Sequence, residues 1–243
     1  MPADVARPWF TSRAEDGRWL PFVCWALTEP LLAISSAPFG GGIGLRWWVI
    51  NATVPMSYRR DDPDTHLVEL ADQADLRGPG VGLLTGVDVR RMVDRSESGV
   101  RVWTTVGLGT PILAAGDPAA GDAGDGATPQ RVGTINTVAV LPERLSEAAL
   151  VNAVATVTEA KTQALVELGL RATGTATDAV ALLCPPDGAE QRYGGPRSIW
   201  GARLARAVHR AVRDGAVGGA PVPSTGHGGE PTGWRSSQRP GGR

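Results

Sequence analysis

Short apolar runs alternate with polar breaks along most of the chain, and three longer stretches replace that pattern with a helical period. Residues 31–36 (LLAISS) read as a strand running into a glycine-rich turn. Residues 45–54 (LRWWVINATV), dense in aromatic and β-branched side chains, read as a second strand. Residues 80–86, 99–108, 132–140 and 176–184 carry the same strand signature. The helical period covers residues 64–75, with Asp64 as N-cap, and residues 146–169, opened by Ser146 and closed by Gly169. It returns in an amphipathic stretch at 197–213, where Ser198 can cap the helix. Strands and helices mixed in this way predict an α/β (or α+β) fold, a single layered domain with a mixed β-sheet and packed helices.

Glycine and proline punctuate this pattern unevenly. Residues 217–243 hold eight glycines and four prolines with no apolar periodicity, so the expected division is an N-terminal extension 1–17, a folded unit 18–214 and a disordered tail 215–243. The Gly/Asp-rich segment 114–130 is expected to be a flexible insertion within the folded unit.

Composition narrows the function class. A length of 243 residues and a hydrophobic fraction of 42% suffice for a sizeable core. The formal net charge of −1 carries no basic footprint for nucleic acid. No apolar run reaches the ~20 residues that span a bilayer, and the polar N-terminus lacks the core of a signal peptide, so no membrane partner and a cytoplasmic location are expected. Cys24 and Cys184 sit in apolar runs and read as buried thiols. His66, His209 and His227 are scattered without ligand spacing, so no metal is expected; His66 and His209 read as surface positions.

One count changes the picture. Of the 24 basic residues only Lys161 is a lysine. On a wheel of ~100° per residue it falls on the apolar side of the 146–169 helix, among Val154, Val157, Leu165 and Leu168. Asn152, Thr156, Glu159, Gln163 and Glu167 line the opposite side, which leaves Glu159 out of reach of Lys161. One reading is a stem packed on apolar neighbours with its head in water. The other is a head directed into an enclosed polar pocket, paired with a carboxylate or acting as a base, a role arginine cannot fill.

Other segments carry candidate chemistry. In SSAPFGGGIG (35–44), Gly40, Gly41, Gly42 and Gly44 permit close backbone approach to a ligand, although a plain tight turn is an equal reading. Ser35 and Ser36 are candidate nucleophiles or hydrogen bonders. Asn51 and Asn136, each in an otherwise apolar strand, either satisfy neighbouring backbone or hold a ligand amide. TGTATD (173–178) crowds Thr173, Thr175, Thr177 and Asp178 at a strand entrance, as a structural turn or an acid/base rim. Trp47, Trp48, Trp103 and Trp200 offer apolar contact, with core packing as the default.

Taken together and in order, SSAPFGGGIG, WWVIN, VGLLTGVDV, GTINT, TEAKTQAL, TGTATDA and YGGPRSIWGARLARAV resemble the adenosylcobinamide amidohydrolase family across about residues 28–212. The resemblance implies hydrolysis of the amide that joins aminopropanol to the corrin ring, with adenosylcobyric acid and 1-amino-2-propanol as products. The acid would then return to coenzyme B12 (cobalamin) biosynthesis by corrinoid salvage. It also implies adenosylcobinamide as the small-molecule partner; no cofactor is expected. The family blocks fall on Ser36, Gly41, Gly42, Asn51, Asn136, Glu159, Lys161, Thr175, Asp178 and Gly194.

Two chemistries fit those residues. In one, Ser36 attacks with Lys161 as its base, and the N–H groups of Gly41 and Gly42 bind the oxyanion. In the other, water attacks, Glu159 or Asp178 is the general base, and Lys161 stabilises charge. The expected substrate-binding residues are Gly41, Gly42, Asn51, Asn136, Thr175 and Gly194. A corrinoid-binding carrier or regulator without catalysis is the alternative function.

Overall fold

The structure, a computed structural model, describes residues 7–116 and 133–217. Residues 1–6 of the expected N-terminal extension, residues 117–130 of the expected insertion with the two that follow, and residues 218–243 of the expected tail with His227 lie outside the described residues.

The described chain runs β1 (Trp9–Glu15), β2 (Arg18–Ser35), β3 (Gly42–Thr53), α1 (Pro63–Gln73), β4 (Gly80–Thr85), a single 3-10 turn (Val89–Arg91), β5 (Val93–Glu97) and β6 (Val100–Gly107). It continues through β7 (Thr134–Val140), α2 (Glu147–Glu167), β8 (Ala179–Cys184) and α3 (Ile199–Val217). The strands form one sheet in the order β4-β3-β2-β8-β7-β6-β5, with β1 on β2. β3–β4 and β7–β8 are parallel and the other pairs antiparallel, so the mixed sheet with helices is an α/β fold.

The folded unit begins earlier than the expected residue 18. β1 pairs with β2 from Trp9↔Cys24 to Glu15↔Arg18 through a tight turn with positive φ at Asp16 and Gly17. Its Arg13 is buried and donates to the Thr53 carbonyl, a contact that the polar look of MPADVARPWF does not advertise. β5 also escaped the sequence pattern, because its alternation is half-exposed and charged.

β2 is far longer than the six-residue strand expected at 31–36. Its register against β3 shifts between Ala26 and Leu31, and the β2–β3 pair bends there. The single sheet therefore folds back on itself. Val23, Trp25, Val49, Val81 and Leu83 of one half meet Trp103, Val138, Ala181 and Leu183 of the other in a shared inner core. Trp25 and Trp103 meet edge to face there, with centroids 5.6 Å apart. Outside one half, α1 packs Leu67, Leu70 and Ala71 on Phe22, Cys24, Trp48 and Ile50. Outside the other, α2 and α3 pack on Val102, Ile135, Ala139, Leu182 and Cys184. The result is four layers: helix, sheet, sheet, helices.

The helix boundaries follow their caps. Ser146 Oγ accepts from the Ala149 N–H at 3.2 Å, and Gly169 takes φ +78° just past the end of α2. Ser198 Oγ accepts from the Gly201 N–H at 3.1 Å and opens α3. Asp64 is not the N-cap of α1: Pro63 occupies the first turn, Asp62 precedes it, and Asp64 lies within that turn. The buried face of α2 is narrower and richer in alanine than the wheel suggests, and it includes Thr156, whose hydroxyl bonds the Gly194 carbonyl at 2.9 Å.

Candidate functional site

The end of β2, the start of β3 and the starts of β7 and β8 meet at one end of the helix-covered half-sheet. Lys161 of α2 reaches this end. Its Nζ lies 2.5 Å from Asp178 Oδ2, and both side chains are only 12% exposed. The polar-pocket reading of the single lysine is the one the fold realises: the apolar flank of α2 carries Lys161 over the mouth of β8 rather than out to water.

Asp178 is held on all sides. Its Oδ1 accepts from the Ile135 N–H at 2.8 Å and from Thr175 Oγ1 at 2.5 Å. Its Oδ2 accepts from the Thr175 N–H at 3.1 Å and from Lys161. These four donors fill the acceptor capacity of a carboxylate. Glycine at 174 makes the arrangement possible, since a Cβ there would stand 2.3 Å from Asp178 Oδ2 and 2.5 Å from Lys161 Nζ. TGTATD is thus both a turn and the cradle of a charged pair. The segment signalled itself as polar, but only the close approach of α2 reveals why position 174 is glycine.

One residue further along β7, Asn136 turns into the inner core. Its Nδ2 donates to Asn51 Oδ1 at 3.0 Å and to the Leu84 carbonyl at 2.8 Å, and Asn51 Nδ2 donates to Thr105 Oγ1 at 3.2 Å. The two asparagines tie one half of the folded sheet to the other. Asn136 Oδ1 is buried without a hydrogen-bond partner. The two bonds that Nδ2 donates fix the amide orientation.

Ser36 stands exposed at the end of β2. Its backbone N–H donates to the Val180 carbonyl at 3.0 Å, and its Oγ accepts from the Val180 N–H at 3.1 Å. Ser35, the other candidate, is buried, donating through Oγ to the Val180 carbonyl at 2.8 Å. The following turn carries Gly41 and Gly42. A Cβ on Gly41 would come within 2.7 Å of the Ala37 carbonyl, and Gly42 has φ +79°. Arg46, which the sequence pattern did not single out, donates to the Gly40 and Gly41 carbonyls and pins the turn from outside.

Two candidates lie elsewhere. Glu159 is exposed, with its side chain on another face of α2 from Lys161. Gly194 is a packing position, where a Cβ would lie 2.0 Å from the Ala149 carbonyl. His66 is not a surface residue but is buried against Tyr58, whose hydroxyl lies 3.0 Å from Nδ1, with Glu15 Oε2 3.5 Å from Nε2. Burial pushes its pKa down despite the neighbouring carboxylate. His209 is not solvated as a lone side chain, since it pairs with Glu167 at 2.9 Å. Trp48 and Trp103 are buried in the cores, Trp47 is 39% exposed, and Trp200 is partly buried under Arg203. Cys24 and Cys184 are buried, and burial raises the Cys184 thiol. Among the described residues no cluster of His, Cys, Asp and Glu could hold a metal ion, and no helix is long and apolar enough to cross a membrane.

A protein named adenosylcobinamide amidohydrolase from Methanosarcina mazei is 27% identical over 189 residues, covering 74% of this chain and 88% of that one. Another of the same name from Halobacterium salinarum is 33% identical over 163 residues, covering 66% of this chain and 70% of that one. The crystal structure of the PH0078 protein from Pyrococcus horikoshii OT3 aligns with a TM-score of 0.44 at 11% identity, over 88% of this chain and 85% of that one, a likeness too distant to bear on the fold. The family model for adenosylcobinamide amidohydrolase matches residues 9–218, from the first residue of β1 to just past the end of α3. That match spans the whole described fold, and the chain belongs to the adenosylcobinamide amidohydrolase family of hydrolases.

Proposed function

We propose that the protein hydrolyses the aminopropanol amide of adenosylcobinamide, releasing adenosylcobyric acid and 1-amino-2-propanol for corrinoid salvage into coenzyme B12. The observation that carries this reading is the family match over residues 9–218, with Lys161 and Asp178 within it as a close pair. In the reaction the oxygen of water bonds to the amide carbon and the carbonyl electron pair moves onto oxygen. The pair then returns, the C–N bond breaks, and the amine leaves with a proton.

Of the two chemistries, the geometry favours water as nucleophile. Lys161 bonds Asp178 at 2.5 Å and makes no hydrogen bond to Ser36 among the described residues, so it is suited to stabilise the developing oxyanion rather than to deprotonate Ser36. Asp178 holds Lys161 in place and is the general base of this route, taking the proton of water as Thr175 Oγ1 gives up its bond to Oδ1 and passing that proton to the leaving amine. Glu159, exposed on another face of α2, takes no part. Ser36 and the Gly41–Gly42 turn border the same end of the sheet and contact substrate there.

The test is incubation of the purified protein with adenosylcobinamide and detection of adenosylcobyric acid by mass spectrometry. Turnover is expected; binding without turnover would replace the enzyme by a corrinoid carrier. Ser36→Ala is expected to keep activity within about tenfold, and Lys161→Met to lose about a hundredfold or more in kcat. Abolished activity in Ser36→Ala would restore the serine route.

A further inference from the structure

Beside the Lys161–Asp178 site the described residues leave an apolar strip of the sheet uncovered. After the bend in β2, Leu32 pairs with Leu45 of β3 and Cys184 of β8, and Ile34 pairs with Ile43 and Leu182. Paired residues share a face, so Leu32, Ile34, Ile43 and Leu45 lie on the same side as Leu182 and Cys184, which α2 covers. Leu32 and Ile34 pack at the margin of that helix-covered cluster, while Ile43 is 39% and Leu45 48% exposed. β4 pairs with β3 only from Trp48 to Thr53, so residues 42–46 form a sheet edge among the described residues. An exposed apolar edge strand is ordinarily a liability, which makes a retained one worth a function.

We propose that this strip is the surface on which the macrocycle of the corrinoid lies; the inference rests on the reading of the protein as an adenosylcobinamide amidohydrolase. Three observations select that occupant. The strip is continuous with the site: along β8, two and four residues from Leu182, come Val180, held by Ser36, and Asp178, held by Lys161. Its extent suits one side of a flat ring system, ~13 Å along β2 from Leu32 to Ser36 and two strands wide, with β2 and β3 ~5 Å apart and α2 over Leu182 and Cys184 closing it towards β8. Its chemistry also matches, an apolar floor ending in hydroxyl, ammonium and carboxylate groups. A macrocycle that is apolar across its face and carries amides on its rim can lie flat and present one rim amide to Lys161.

Leu45→Ser and Ile43→Ser test this with adenosylcobinamide as the probe. Both positions are exposed, so the fold is expected to survive, as thermal melts will show. KM is expected to rise about tenfold in each variant and kcat to stay within twofold, because the strip holds the part of the substrate that does not react. Leu45→Met should restore KM, and Val166→Ser, an exposed apolar position elsewhere on α2, should leave it unchanged. Unchanged KM in Leu45→Ser and Ile43→Ser overturns the proposal. So does a change in oligomeric state by light scattering with KM unaltered, which would make the strip a contact between copies. If the wild type binds adenosylcobinamide without turning it over, the amidohydrolase reading fails, and the strip is judged by the dissociation constant. A tenfold weaker complex in Leu45→Ser then supports the strip, and equal binding overturns it. A wild type that neither binds nor hydrolyses adenosylcobinamide overturns both.

Discussion

Replacing Gly174 by alanine separates the role of the Lys161–Asp178 pair from every other feature of the site. The added methyl would lie 2.3 Å from Asp178 Oδ2 and 2.5 Å from Lys161 Nζ, well inside any real contact. Both partners must give way: the Asp178 carboxylate and the backbone at 174 have to part by ~1 Å against three further hydrogen bonds, and the flexible lysine retreats by ~1–1.5 Å. At an effective dielectric of ~20, lengthening the pair from 2.5 Å to ~4 Å removes about 2–3 kcal/mol of attraction. Rehydration of the ammonium offsets part of this, leaving about 1–2 kcal/mol of stability, or a fall in Tm of ~2–6 °C for a chain of this size. Catalysis should suffer more, because a misplaced oxyanion donor costs about a hundredfold in kcat. The assay is steady-state hydrolysis of adenosylcobinamide by wild type, Gly174→Ala, Lys161→Met and the double variant. Because the alanine acts on the two partners as a unit, its cost in kcat should be smaller in the Lys161→Met background than in the wild type. Wild-type kcat in Gly174→Ala, or an equal loss in both backgrounds, would refute the reasoning.

Three further outcomes follow from other parts of the structure. Asn136→Ala removes donors to Asn51 and the Leu84 carbonyl and unties the two half-sheets, so urea denaturation should show a loss of about 2–4 kcal/mol; less than 1 kcal/mol would contradict the cross-sheet role. Burial lowers the folded-state pKa of His66 beside Glu15, Arg13 and Tyr58, so the unfolded chain binds the extra proton first; stability should be full above ~pH 6.5 and decline as pH falls through the lowered value. His66→Gln should flatten that decline, and a slope unchanged by the substitution would assign it to other groups. Gly194→Ala drives a methyl to 2.0 Å from the Ala149 carbonyl, so it should lower Tm by several degrees through backbone displacement; an unaltered melt would show that the start of α2 yields freely.

Local chemistry determined much of this protein on its own. The strand signatures at 45–54, 80–86, 99–108, 132–140 and 176–184 rest on apolar, β-branched runs that no helix would tolerate in such short lengths, and each lies on a strand. Ser146, Gly169 and Ser198 mark helix ends because a hydroxyl beside free N–H groups, or a glycine at positive φ, acts within a few residues. The helical period likewise placed Lys161 on the flank of α2 that faces the protein, since the angle between side chains on one helix is fixed by the backbone.

What local chemistry could not determine is set by partners distant in the chain. β1 and the first half of β2 are polar or broken by proline at Pro21, and they become strands because neighbouring strands complete their hydrogen bonds. His66 looks like a surface histidine on its own helix, and only Glu15 and Tyr58, brought in from elsewhere, make its place an interior one. Asn51 and Asn136 carry the same ambiguous signal in two strands 85 residues apart, and the bend in the β2–β3 pair converts them into a tie between half-sheets. The meeting of Lys161 with Asp178 over a glycine at 174 is likewise a product of the fold. A pair held at 2.5 Å depends on where a helix crosses a strand, and sequence spacing contains no such distance.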